Sequence, residues 1–258
     1  MDDNLRIQAN MLHKPYLITR IDEEADRTRC LVLDRAVEGV PGQFAMLWLP
    51  HATEKAVNIL SVDPLILAVN DIGLSKEAIN ALQAGDTIWV RGPLGHGYCG
   101  NDDRLLLVGG GYSSAPLVHL AANAIKNGKK VDVILAAKKA AELPFTKLFD
   151  QLGVQPTLLT DDGSAGKAGL LSDVLREKLD ENAPKVICAA GPNRLMEEVA
   201  VIAREYKIKA QISWEGNIRC GMGLCGICEL KRTEEGTGHP PGWLVCHDGP
   251  VSQENMIQ

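Results

Sequence analysis

The chain has 258 residues, with 27 Lys+Arg against 33 Asp+Glu and a formal charge of −6. Its 45% hydrophobic and 23% charged residues are ordinary globular composition and exclude wholesale disorder. The acidic balance argues against a nucleic-acid binder, whose affinity is built from clustered Lys and Arg.

The first hundred residues carry short strand-like runs at 16–21, 29–34, 44–49, 65–69 and 87–91. Pro41-Gly42, Pro64 and Gly85-Asp86 punctuate them, so this part predicts a small antiparallel β-barrel or sandwich. Near Asn101 the pattern changes to strands alternating with helices. An apolar run at 105–108 meets Gly109-Gly110-Gly111, and a helix follows with Leu117, Leu120, Ala121 and Ala124 on one face. Further strands are predicted at 131–136, 157–160 and 186–190, with helices near 144–152, at 170–179 and at 194–206. This is the pattern of a doubly wound α/β domain with a parallel sheet. From about Ser213 the chain is rich in Gly and Cys and too short for a large core, so it needs a staple. The expected boundaries are therefore 1–100, 101–212 and 213–258.

Seven cysteines are an odd number, which excludes a fully paired disulfide framework within one chain. Four of them, Cys220, Cys225, Cys228 and Cys246, follow C-x₄-C-x₂-C with a distant fourth, the plant-type [2Fe–2S] spacing. Gly221, Gly223 and Gly226 let the backbone wrap tightly and turn N–H groups inward. Zinc also takes four thiolates, commonly as two CxxC pairs, but only one CxxC is present, so the spacing favours iron–sulfur. Cys30, Cys99 and Cys188 are isolated and read as buried small hydrophobes.

Gly109, Gly110 and Gly111 join a strand to a helix, where backbone N–H groups suit a pyrophosphate. The loop is not GxGxxG, because Ser114 stands where the last glycine would be. Gly191-Pro192 follows another strand, and two such loops point to a nucleotide across that edge of the sheet. The N-terminus is polar and acidic and no run approaches membrane-spanning length, so a cytoplasmic protein is expected.

Barrel, nucleotide domain and plant-type cluster in this order resemble the ferredoxin–NADP reductase superfamily. Within it, the chain is most similar to the electron-transfer subunits of class 1B dihydroorotate dehydrogenases. The likeness rests on Gly92-Pro93-Leu94-Gly95-His96-Gly97, on the 108–117 loop, on Gly191-Pro192-Asn193-Arg194-Leu195-Met196, and on the block 213–228 with Cys246. The resemblance implies FAD in the barrel, NAD as substrate, and a cluster passing electrons to a partner. That partner would be an FMN-containing dihydroorotate dehydrogenase catalytic subunit of pyrimidine biosynthesis, in a heterotetramer.

The family's flavin motif, Arg-x-aromatic/apolar-Ser/Thr, falls on Lys55, Ala56, Val57 and Asn58, a departure at both informative positions. Lys55 can neutralise a phosphate but cannot form the arginine fork, and Asn58 keeps a hydrogen bond to offer. A second flavin contact falls on Gly73 and Ser75. NADP stays open, because Lys138 and Lys139 follow the second strand of the nucleotide domain and no acidic residue ends it. Two other functions stay open: a cluster-bearing docking subunit without working flavin, and a diaphorase-like subunit serving a ferredoxin or sulfur oxidoreductase.

Overall fold

The structure, a computed structural model, describes residues 10–50, 52–71, 73, 76–181, 183–230 and 239–254. Six strands form the barrel: β1 (Lys14–Ala25), β2 (Thr28–Leu33), β3 (Phe44–Trp48), β4 (Glu54–Val62), β5 (Leu65–Asn70) and β6 (Thr87–Leu94). They pair antiparallel and close in the order β1-β2-β5-β4-β3-β6. Alternate residues point inward, so Ile18, Leu31, Leu47, Ile59, Leu67 and Ile88 fill one interior cluster. The short helix α1 (Lys76–Ala81) adds Ile79 to that cluster.

The second layer is a seven-stranded sheet of β7 (Arg104–Gly110), β8 (Lys130–Ala137), β9 (Thr157–Thr160), β10 (Lys167–Ala168), β11 (Val186–Ala190), β12 (Lys209–Ser213) and β13 (Val251–Glu254). Its order is β10-β9-β8-β7-β11-β12-β13, all parallel except β13. Helices α2 (Ala115–Lys126), α3 (Thr146–Gln151), α4 (Leu171–Glu181) and α5 (Asn193–Glu205) cover the two faces. The apolar runs of the central strands are explained by that double coverage. Leu106, Val108, Ile187 and Ala189 pack with the helical Val174, Leu175, Val199 and Ala203 on one face. Leu105, Leu107, Val186 and Cys188 pack with Leu117, Ala121 and Phe149 on the other.

Two phenols, Tyr98 buried and Tyr112 half-buried, tie barrel to sheet. Tyr98 donates to the Ala189 carbonyl at 2.8 Å, and Tyr112 to the Ala68 carbonyl at 2.7 Å. Cys30 and Cys188 are buried as expected, whereas Cys99 is exposed, and its sulfur accepts from Gln253 Nε2 at 2.7 Å. Its place in the barrel-to-sheet connection, with both backbone groups bonded to Gln211, holds the side chain out. Among the described residues no helix is long and apolar enough to cross a membrane.

Candidate functional site

Strand order reverses between β7 and β11, and the loops after these two strands are the glycine segments singled out from sequence. Ala190 pairs with Gly109 at the end of the ladder. A Cβ on Gly110 would stand 2.9 Å from Pro192 Cδ, and one on Gly191 would stand 3.1 Å from the Gly110 nitrogen. Gly109, Gly110, Gly111, Gly191 and Pro192 are therefore one junction at the topological switch point, where open α/β sheets bind ligands. Gly111 starts a tight 3₁₀ turn with φ +51°, and α2 follows from Ala115.

A cleft of about 310 Å³ opens between this junction and the barrel. Ala56, Val57 and Asn58 of β4 form one side, Tyr112 and Ser113 another, and Ser213, Trp214 and Glu215 a third. The volume lies at the lower end of small-molecule pockets and suits one ring system. Lys55 adjoins this wall but turns to Asn70, donating to its backbone carbonyl at 2.8 Å and to its side-chain oxygen. Partial burial pulls the Lys55 ammonium down from its ordinary range, against an opposing pull from Asp71. Gly73 is exposed with φ +79°, and Ser75 lies outside the described residues.

The segment beyond β12 is clamped to the glycine junction. Asn193, the first residue of α5, donates to the Glu215 carbonyl at 2.9 Å and accepts from the Glu215 N–H at 2.9 Å. Ser113 donates to the Glu215 carboxylate. Trp214 is buried, with its indole N–H on Ser252 at 2.8 Å, and His239 stacks on Trp243 at 3.7 Å between centroids.

The four cysteines meet in pairs. Cys228 and Cys246 sulfurs lie 3.3 Å apart, and Cys220 takes a side-chain hydrogen bond from Cys225. Burial opposes ionisation of Cys220, yet backbone N–H groups of Met222, Cys225 and Leu224 outweigh it and draw the thiol down to about 6. Burial and the neighbouring Cys228 push Cys246 up to about 12, although the Gly223 N–H points at its sulfur from 3.3 Å. Gly221, Gly223 and Gly226 all have positive φ, which turns the loop back on its own thiols. Among the described residues no three His, Cys, Asp or Glu side chains gather about one ion-sized point. Two pairs suit two irons bridged by sulfide, and inward N–H groups suit the sulfurs, so the residues fit a [2Fe–2S] cluster.

Residues 215–258 match the family described as the iron–sulfur cluster binding domain of dihydroorotate dehydrogenase B. A Methanocaldococcus jannaschii protein, named probable dihydroorotate dehydrogenase B (NAD(+)), electron transfer subunit, is 35% identical over 242 residues, covering 93% of this chain and 90% of its own. The chain belongs to the family of dihydroorotate dehydrogenase B electron transfer subunits. Another member of that family, from Methanopyrus kandleri, is 35% identical over 241 residues, with 92% and 88% covered. As an electron transfer subunit of this family, the chain is an oxidoreductase subunit with a C-terminal iron–sulfur domain.

Solved structures share the fold. One is an NADH-dependent reduced ferredoxin-NADP oxidoreductase, 24% identical with a TM-score of 0.78, covering 92% of this chain and 87% of that one. Another is phthalate dioxygenase reductase, 18% identical with a TM-score of 0.58, covering 74% and 64%.

Sequence reasoning missed Tyr112, Arg91 and Glu54. Tyr112 breaks the glycine run and carries a visible signal, an aromatic in a phosphate-type loop. Arg91 and Glu54 sit in strands with no spacing that marks them as partners.

Proposed function

We propose that this chain relays electrons between NAD(H) and a partner flavoprotein through FAD and a [2Fe–2S] cluster. One observation carries the reading: flavin strand β4, nucleotide loop and cluster segment all line one cleft, through Asn58, Tyr112 and Trp214. FAD bound there would convert a nicotinamide hydride pair into single electrons that a cluster can accept. Ala56, Val57 and Asn58 would face the flavin ring, with Lys55 and Gly73 toward its phosphates; Ser75, which the resemblance adds, lies outside the described residues. Gly109, Gly110, Gly111, Gly191 and Pro192 would present backbone N–H groups and close-approach space to the dinucleotide. Cys220, Cys225, Cys228 and Cys246 would hold the irons.

NAD is favoured over NADP by the engagement of the basic pair after β8. Lys139 lies 3.8 Å from Asp26 and 3.6 Å from Glu142, which leaves Lys138 alone for a 2′-phosphate. Electrons would leave where Leu224, 80% exposed, and Ile227, 54% exposed, flank the exposed Cys225. The relatives' names support dihydroorotate dehydrogenase as the partner, which we take to be its FMN-containing catalytic subunit in a cytoplasmic heterotetramer. We further divide the chain into working units 1–100, 101–212 and 213–258.

The purified chain should show a visible iron–sulfur and flavin spectrum, stoichiometric flavin, iron and sulfide, and NADH-dependent reduction of an artificial acceptor. An intact cluster without flavin would overturn the relay in favour of a docking subunit.

A further inference from the structure

Among the barrel's contacts with the cluster loop is one buried cation. Arg91 of β6 has a side chain only 3% exposed. It grips Glu54 of β4 with two bonds, Nε to Oε1 at 2.6 Å and Nη2 to Oε2 at 3.0 Å. The same Nη2 donates to the Cys220 carbonyl at 2.7 Å. The neighbouring Gly221 closes over it: a Cβ there would stand 3.3 Å from Nη2 and 3.1 Å from Met46 Cγ. Nη1 is buried and has no hydrogen-bond partner among the described residues. Glu54 is shared with His13, whose Nε2 lies 2.7 Å from the same Oε1 that accepts from Arg91 Nε. The contacts therefore run His13, Glu54, Arg91, Cys220, with the guanidinium against the cluster loop and the carboxylate behind it.

We propose that Arg91 is a positioning residue for the iron–sulfur cluster and that the Arg91–Glu54 pair, positive end foremost, raises the cluster's reduction potential. The proposal rests on the cysteine assignment made above. An ion pair with a buried guanidinium and a half-buried carboxylate is a poor way merely to hold a loop, because apolar side chains of equal volume do so at lower desolvation cost. Its direction gives it another use. Reduction adds one negative charge to the cluster, and a cation in a site of low dielectric favours the reduced form. The carboxylate lessens that effect from farther away. The two partners should thus act with opposite signs, which a purely structural brace would not.

The test is an anaerobic potentiometric titration of the full chain, followed by electron paramagnetic resonance, with iron and sulfide measured in every variant. Arg91→Gln should disfavour reduction by about tenfold, which is 59 mV for a one-electron couple. Glu54→Gln should shift the same equilibrium the other way, and Arg91→Lys should stay near wild type because it keeps the charge. If Arg91→Gln fails to hold its cluster, Glu54→Gln against Arg91→Lys decides the matter: a raised potential in the first and an unmoved one in the second supports the proposal. Unmoved potentials in cluster-loaded variants, or shifts of the same sign, overturn it. Absence of cluster from the wild-type chain would instead overturn the cysteine assignment.

Discussion

Replacing Gly110 by alanine tests whether the glycine junction is there for close approach. The added Cβ would meet Pro192 Cδ at 2.9 Å, Leu195 Cδ1 at 3.3 Å and Gly191 Cα at 3.5 Å. The proline carbon belongs to a rigid ring on the facing loop, so it cannot swing aside, and the two loops must part by several tenths of an ångström. Overpacking of this kind costs about 1–3 kcal/mol. Felt in nucleotide binding rather than folding, the same range is about 5- to 150-fold in affinity. Gly111→Ala is the matched control: nothing lies within 4 Å of its Cβ, but its φ of +51° makes any side chain cost about 1 kcal/mol. Urea unfolding and NADH titration by fluorescence would be run on both. Gly110→Ala should lose more than Gly111→Ala in stability and affinity summed. If it stays within about 0.5 kcal/mol of wild type in both, the close-approach explanation of this glycine is wrong.

Three further outcomes are expected. In the metal-free chain at pH 7, iodoacetamide should alkylate Cys220, drawn down to about 6, well before Cys246, pushed up to about 12; peptide mapping that finds equal rates would contradict this. Glu54 is desolvated, which opposes its ionisation, but Arg91 and His13 outweigh that and hold its carboxyl below its ordinary value. Its stabilisation is therefore complete above that value and lost as pH falls through the folded-state pKa, so Glu54→Gln should flatten the acid limb of a stability profile measured by denaturant melts. Leu224→Asp with Ile227→Asp should leave the cluster spectrum intact and slow electron delivery to the partner flavoprotein about tenfold or more, since aspartate there desolvates a charge on docking; an unchanged rate would place the exit elsewhere.

What was readable in the sequence follows from how strongly each element signals itself. Strands β9 and β11 appear at their predicted bounds, and β11 does so because its run Val186-Ile187-Cys188-Ala189-Ala190 is buried on both faces. Strand β4 was not predicted, although it carries Lys55–Asn58, on which the resemblance puts its flavin motif. Its Glu54, Lys55, Asn58 and Ser61 are poor strand formers, and they are there because one side of the strand faces a cleft and an ion pair. Strand β12 was hidden by Lys209 and Gln211, and Gln211 spends its amide on the backbone of Cys99. The four cysteines stood out because spacing is a local property of the chain, and the fold brings them into two neighbouring pairs. The Arg91–Cys220 bond joins residues far apart in sequence, and only the folded topology brings them together.

The antiparallel pairing of β12 with β13 has a consequence for how this architecture can be taken apart. Ser213 sits opposite Val251, and the Trp214 N–H bonds the Pro250 carbonyl at 2.9 Å, so the cluster segment leaves the sheet and re-enters it at one spot. Such an excursion can be cut out and its two ends joined by a short hairpin turn, with every strand of the sheet retained. The cysteine-bearing segment is thus an insert between two adjacent strands, its ends a strand spacing apart.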